Sequence, residues 1–302
     1  PVTRRPPQSR IDTSSVVGRP LAHDIRPEVS QTAFRFRLTE PCELSIEPGG
    51  GLTHPLHVFA NPPETDRPDP TDPNVLYFGP GYHEASELDI LDSQMVYVAG
   101  GAVVGLKPQD PVRLNEPHQC YGLDVWSVPG LLSSNWHKNV TIRGRGILCG
   151  RRALDQRQRG HLIRVQGIEK LLIEGIVIRE ASVWSLNVVN CSQVTVRNVK
   201  VVGHYVNNDG ICIGGTSDAV VEDCFSHNAD DSLEVKVWVP QRNVLFRNCV
   251  VWNDVGGSLG LMHETGADVE NVAYESCTVL HSTDDASVCP VVGLKLTGPG
   301  NA

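Results

Sequence analysis

The sequence predicts an all-β protein whose main part is a parallel β-helix, and three observations carry that expectation. First, a short motif recurs from Asn139 onward: apolar-x-apolar, a charged residue, a small or amide residue, then a residue of buried type. The copies beginning at Ile173, Val196, Val221, Phe246 and Tyr274 are separated by 23, 25, 25 and 28 residues. Second, each period holds another short apolar strand, at 185–188, 210–213, 232–235 and 258–261. Third, the intervening residues are Gly, Asn and Asp with no amphipathic helical pattern, as expected of solenoid coils made of strands alone. A leucine-rich repeat would need a regular Leu/Asn frame, which is absent. Equivalent positions on successive coils stack about 4.8 Å apart. Ile176, Val199, Cys224, Cys249 and Cys277 should therefore form one internal ladder, with the cysteines as small free core residues and a bridge between neighbouring coils as the alternative.

The part before the repeats differs in composition: 13 of the 21 prolines lie in residues 1–74. There Phe34, Phe36 and Leu38 alternate with polar residues, as do Cys42, Leu44 and Ile46, which predicts half-buried antiparallel strands. The segment 61–73 (NPPETDRPDPTDP) can be neither a central strand nor a helix interior, because its prolines remove donors and fix φ. It reads as a connector, giving an N-terminal unit over 1–74 and a β-helix over 75–302. A second irregular stretch, 108–136, carries four prolines and three aromatics. Its length for a loop points to function.

Composition narrows the function. The chain has 302 residues, 40% apolar and 20% charged, with a formal net charge of -9, so non-specific binding to nucleic acid or an anionic membrane is not expected. No apolar run approaches 18 residues and the first residues lack an apolar stretch, so neither a membrane span nor an intact signal peptide is expected. Nine cysteines with no C-x-x-C pair suggest neither a zinc ribbon nor a complete disulfide framework. No cofactor or metal-ligand set is read from the sequence.

Carboxylates cluster where two coils begin their later strand, in 206–213 (VNNDGICI) and 228–236 (NADDSLEVK). Aligning Ile211 with Leu233 puts Asp209 over Asp231, with Asp230 one residue earlier. Close like charges raise at least one pKa and set a protonated acid beside an ionised base, as glycosidic cleavage requires. Such residues are also common at β-helix turns, and acidic loops can hold Ca²⁺ or merely face water. Strict alternation would turn Asp209 and Asp231 inward, so they escape burial in the core only if strand geometry begins after them.

The segments NNDG (207–210) and DDSLEVK (230–236) resemble the N-T-D-G and D-D-x-I-A-[IL]-K signatures of the polygalacturonase/rhamnogalacturonase family of β-helix glycoside hydrolases, to which dextranase-type β-helix enzymes are related. Residues 75–84, 95–104 and 139–148 resemble the segments that open the helix in such proteins. The resemblance implies a right-handed parallel β-helix of roughly nine coils preceded by a small β-sandwich. It implies an inverting, metal-independent hydrolase of a poly- or oligosaccharide, secreted or periplasmic in setting. Asp230 would be the general acid, and Asp209 and Asp231 would hold and activate water. Asn207 matches the Asn before the catalytic Asp, and Lys236 matches the Lys closing the D-D strand.

Two positions depart from the pattern. Gly256-Gly257-Ser258 stands where the family carries G-H-G, leaving His263 as the nearby histidine, and Gly293-Leu294-Lys295 stands where it carries R-I-K. Polygalacturonate is therefore not the expected preferred substrate, because recognising a uronate takes positioned cations. Further substrate-binding candidates are Trp184, as a sugar-stacking ring or a buried one, and His204, His227 and Lys295; the basic run 151–159 is read as a solvated loop or a groove lining. A lyase on the same scaffold and a non-catalytic glycan-binding β-helix are the alternative functions. Because 288–296 is strongly apolar, the C-terminal edge is expected either to be covered by self-association or to fray.

Overall fold

The computed structural model describes residues 15–30, 33–85, 88, 90–106, 120–126, 137–151, 160–261, 264–283 and 291–294, with only the backbone of 106 and 120–126. The chain divides after Thr65 into two compact units, a boundary inside the proline-rich 61–73 segment, whose residues form neither strand nor helix.

In the first unit Cys42–Pro48 is the middle strand of a three-stranded antiparallel sheet, flanked by Val16–Arg19 and Leu56–Ala60. Glu28–Val29 and Phe34–Arg35 form a separate antiparallel pair. The alternation at Cys42, Leu44 and Ile46 predicted one buried face, yet Ser45 and Glu47 are buried as fully as Leu44 and Ile46. Glu47 tolerates this because Arg19 Nε donates to its carboxylate at 3.0 Å. Phe36 and Leu38 lie beyond the strand expected of them.

The second unit is a right-handed parallel β-helix of three sheets, with eight, eight and seven strands among the described residues. Each described coil after the first carries three strands where the sequence pattern predicted two. The first sheet runs from Val75–Phe78 to Val269–Glu275 and holds the recurring motif. The second runs from Gly81–Ala85 to Thr278–Ser282. Its members are as short as Val177–Arg179 and Lys200–Val202, too short to show an alternation. The third comprises Cys120–Trp126, His161–Gln166, Leu186–Val189, Ile211–Gly214, Leu233–Lys236, Leu259–Leu261 and Val292–Leu294. Cys120–Trp126 thus makes a strand of part of the 108–136 stretch read as irregular; the remainder of that stretch lies outside the described residues.

The motif's small residue is the corner between the first and second sheets. Gly175, Asn198, Asp223, Asn248 and Ser276 all adopt positive φ, 77°, 55°, 53°, 53° and 52°, a region that glycine and the short amide and acid side chains tolerate best. Just past that corner, Val177, Lys200, Phe225, Val250 and Thr278 stack in register. The predicted ladder therefore exists one residue earlier: Ile176, Val199, Cys224 and Cys249 are core residues, and Cys277 packs against them. Cys42, Cys149, Cys191, Cys212, Cys224, Cys249 and Cys277 are free thiols.

The residue just before each corner forms a second ladder, on the outer face. Arg143, Glu174, Arg197, Glu222, Arg247 and Glu275 are stacked partners on six successive coils, alternating in sign throughout. Arg197 meets Glu174 at 3.0 Å, and Arg247 Nε meets Glu222 at 2.8 Å. At the other end Arg143 lies over the Tyr97 ring, 5.8 Å from its centroid, and pairs with Asp66 at 2.7 Å.

Candidate active site

The corner leading into the third sheet gathers the acidic residues. Ile211 pairs with Leu233 and Ile213 with Val235, and Gly210 N donates to the Asp231 carbonyl at 2.8 Å, so Asp209 and Asp231 sit on adjacent coils in the register expected. Both precede their strands by two residues, which begin at Ile211 and Leu233. The strand alternation therefore does not dictate their direction, and both carboxylates meet Lys236; neither escapes burial, at 1% and 2% exposed.

Lys236 is the hub of the site. It is 2% exposed, and its Nζ lies 3.2 Å from Asp209 Oδ2, 3.1 Å from Asp231 Oδ2 and 3.0 Å from Glu264 Oε2. The same ammonium stands 4.5 Å from the centre of the Trp184 ring. Burial by itself would lower the lysine's pKa, but Asp209, and behind it Asp231 and Glu264, holds it above the ordinary value. Lys236 thus lies against the acid cluster rather than in the open groove. At Asp209 the balance falls the other way. Burial pushes its carboxyl well above the usual range, Lys236 opposes this, and Asp231 and Asp230 add to it. Asp209 Oδ1 takes no hydrogen bond from the described residues. Asp231 Oδ1 accepts from Gly257 N at 2.9 Å. Asp230 is half-buried, and its Oδ1 accepts from Asp231 N at 2.9 Å.

A buried amide network, not recognised in the sequence, supports these carboxylates from below. Asn228 Nδ2 donates to the carbonyls of Asn208, Asp230 and Asp231 at 3.1, 2.6 and 3.0 Å, while its Oδ1 accepts from Ser226 and Ser232 at 2.6 and 2.8 Å. Asn253, stacked on Asn228 one coil later, donates to the Asp230 carbonyl at 2.6 Å and to Ser232 Oγ at 2.8 Å. Asn208 ties the preceding coil through Ser185 Oγ at 3.0 Å. This network also explains the glycine after Asp209: a Cβ on Gly210 would meet Ser226 Oγ and the Ser232 carbonyl, each at 2.4 Å. Gly256 has φ +86°, and a Cβ there would strike the Asp230–Asp231 backbone at 2.8 Å. Where a histidine was the expectation, Gly256 and Gly257 instead form a backbone cradle for the two aspartates.

His204 and His227 do come together, on a residue the sequence reading passed over. Asp254 Oδ2 is 2.8 Å from His204 Nδ1 and 3.1 Å from His227 Nε2, and Trp252 Nε1 donates to its other oxygen at 3.1 Å. Burial works to raise the Asp254 carboxyl, yet His227 and His204 hold it below the ordinary range. Asp254 leads directly into Gly256 and Gly257, so this clasp anchors the segment whose backbone holds Asp231. Asn207 is half-buried with φ 65°, forming the turn into Asp209. Trp184 is only 9% exposed and lies under a second indole, that of Trp238, with ring centres 6.4 Å apart and planes 13° apart. His263, Lys295 and 152–159 of the basic run fall outside the described residues. Among the described residues, no group of three or more His, Cys, Asp and Glu side chains is arranged to hold a metal ion.

Comparison with known proteins agrees with this architecture. The chain is 22% identical over 157 residues to a probable polygalacturonase of Arabidopsis thaliana, a match spanning 50% of this chain and 34% of that one. Among solved structures, Dex49A from Penicillium minioluteum superimposes with a TM-score of 0.63 at 16% identity, covering 98% of this chain and 62% of that one. A hyperthermoactive exopolygalacturonase from Thermotoga maritima gives 0.53 at 17% identity, covering 67% and 57%. The family 28 exopolygalacturonase of Yersinia enterocolitica gives 0.52 at 13%, covering 91% and 64%. This chain thus spans about a third of the Arabidopsis relative's length. Residues 145–287, which contain the whole Asp209–Asp230–Asp231–Lys236 constellation, match the family model for Glycosyl hydrolases family 28, and the fold is the parallel β-helix of the solved structures it resembles.

Proposed function

We propose that this protein hydrolyses a glycosidic bond of a poly- or oligosaccharide with inversion at the anomeric carbon, using Asp230 as acid and Asp209 with Asp231 as the pair that handles water. The observation that carries this reading is that two carboxylates on adjacent coils share one ammonium, with a third, less buried carboxyl beside them. Asp230, the more accessible group, protonates the leaving oxygen. A water activated by the Asp209–Asp231 pair attacks the anomeric carbon from the opposite face and passes its proton to a carboxylate of that pair. Burial makes Asp209 a stronger base than an ordinary carboxylate, and the Lys236 charge favours its ionised form, the combination a general base needs. Carboxyl groups and water complete the reaction, so no metal is required.

The match of residues 145–287 to the model for Glycosyl hydrolases family 28 supports hydrolysis over elimination. The test is a hydrolysis screen across glycans with the parent protein and Asp230→Asn. The variant is expected to turn over about 10²–10⁴-fold more slowly with its fold intact, and early-time proton NMR on the parent should show the inverted anomer first. An unsaturated, ultraviolet-absorbing product would identify a lyase instead. Binding that survives replacement of all three Asp by Asn, with no turnover by the parent, would mark a glycan-binding module.

A further inference from the structure

We propose that the indole of Trp238 is the floor of a sugar subsite that takes a neutral pyranose ring beside the acid cluster. The inference rests on reading that cluster as the hydrolytic centre, and it adds the chemical class of the substrate.

Two tryptophans lie almost parallel at the site, and they differ in access. Trp184 is 9% exposed and Trp238 is 41% exposed. Trp184 packs with Cys212 and Val183 in a small apolar cluster of its own, meets the His161 ring edge-on at 5.0 Å and borders the Lys236 ammonium. It is therefore fixed, and Trp238 lies against it as the outer layer. The sheet surface is cut away to admit this ring: a Cβ on Gly214 would come within 2.7 Å of the Trp238 six-membered ring, so any larger residue there would lift the indole. A flat, preordered aromatic surface offers large contact area to the C–H face of a pyranose at low conformational cost. Its contact with Trp184, which borders Lys236, fixes its distance from Asp209 and Asp231.

The charge of the surroundings selects the sugar. Lys236 already meets three carboxylates, and Asp230 adds a fourth beside them. The described part of the site therefore presents a negative face with its lysine engaged. A uronate there would bring another carboxylate without a committed cation, an arrangement that low-dielectric surroundings penalise heavily. A neutral ring needs only the stacking surface and hydroxyl partners.

Binding of the full chain is measured by affinity electrophoresis in dextran, galactan, arabinoxylan and polygalacturonate, separately from turnover. The expected result is retention by at least one neutral glycan in preference to polygalacturonate. That retention should fall about tenfold or more in Trp238→Ala and stay near the parent in Trp238→Phe. Trp238→Leu keeps an apolar cover on Trp184 without a flat ring, so it should fold and yet bind as weakly as the alanine variant. Equal retention of Trp238→Leu and parent, no retention of the parent by any neutral glycan, or strongest retention by polygalacturonate would each overturn the inference. If retention follows the expected order while no glycan is cleaved, the hydrolytic reading fails and the subsite stands.

Discussion

Asp209, to which the proposed reading gives the handling of water, is unfavourable to the fold. Its carboxyl is buried and its pKa is raised, so the folded state holds the proton more tightly than the unfolded chain, where an Asp titrates near about 3.9. The stabilisation linked to that proton is complete below the unfolded pKa and disappears as pH rises through the folded one. At neutral pH the ionised group is thus a burden. Asp209→Asn is expected to abolish turnover while leaving the melting temperature at pH 7 equal to the parent's or higher, with a weaker decline of stability between acid and neutral pH. Lys236 would still have Asp231 and Glu264 as partners, so no cation is stranded. Thermal melts across pH check this, and a variant clearly less stable than the parent at pH 7 would refute it. Asp209, Asp230 and Asp231 were legible in the sequence because repeats make exceptions visible. The place of Lys236 was not, since the sequence gives its face but not how far its side chain bends back along the strand. Nor could the sequence tell which indole is covered: Trp184 drew notice at a strand start, whereas Trp238 follows the end of one.

At the scale of the coil, the same corner that presents the aspartates is held by stacked amides. Asn228 makes five hydrogen bonds with its side chain alone. Removing it takes the side-chain partner from the Asn208 carbonyl and from the Ser226 and Ser232 hydroxyl protons, while the Asp230 and Asp231 carbonyls keep Asn253 and Gly210 N, at about 1–3 kcal/mol for each group that finds no new partner. Asn228→Ala should therefore lower stability in chemical denaturation by at least that amount and reduce kcat more than glycan binding, because the turn carrying Asp230 and Asp231 loses its anchor. An alanine variant with parental stability and rate would show that the network is incidental. In the sequence these asparagines looked like ordinary turn residues, since a side chain that caps a turn and one that ties two coils are spelled alike. Strand number suffered for a related reason. The second sheet's strands are three to five residues long, and an alternation of two needs more length than that to declare itself.

Across the whole molecule, stability is distributed unevenly along the solenoid. The central coils bury their apolar residues almost completely, whereas Val292 and Leu294 on the last described strand of the third sheet are exposed. Among the described residues that strand pairs on one side, with Leu259–Leu261. Hydrogen exchange should accordingly be faster at Val292–Leu294 than at Ile211–Gly214 in monomeric protein. Protection that rises with concentration, together with a larger species in sedimentation, would indicate a second copy covering this edge. Uniformly slow exchange in a monomer would contradict the expectation. The period of the solenoid was legible from Asn139 onward because each coil must present a turn residue and a core residue at the same place. The N-terminal sheet was read less well, since Ser45 and Glu47 are buried by tertiary contacts that an alternating pattern does not encode.

The charge ladder on the first sheet has a consequence for how such a molecule can change length. The backbone repeats every coil, but the series Arg143, Glu174, Arg197, Glu222, Arg247, Glu275 repeats every second coil. Each exposed pair contributes little alone, about 0–1 kcal/mol, and a like pair in the same place costs a similar amount. Slipping one coil against its neighbour, or duplicating a single coil, sets arginine on arginine or glutamate on glutamate at the new joint. Duplicating two adjacent coils restores the alternation everywhere. The surface therefore imposes a parity that the backbone lacks, and growth or trimming of this solenoid meets least resistance in even steps.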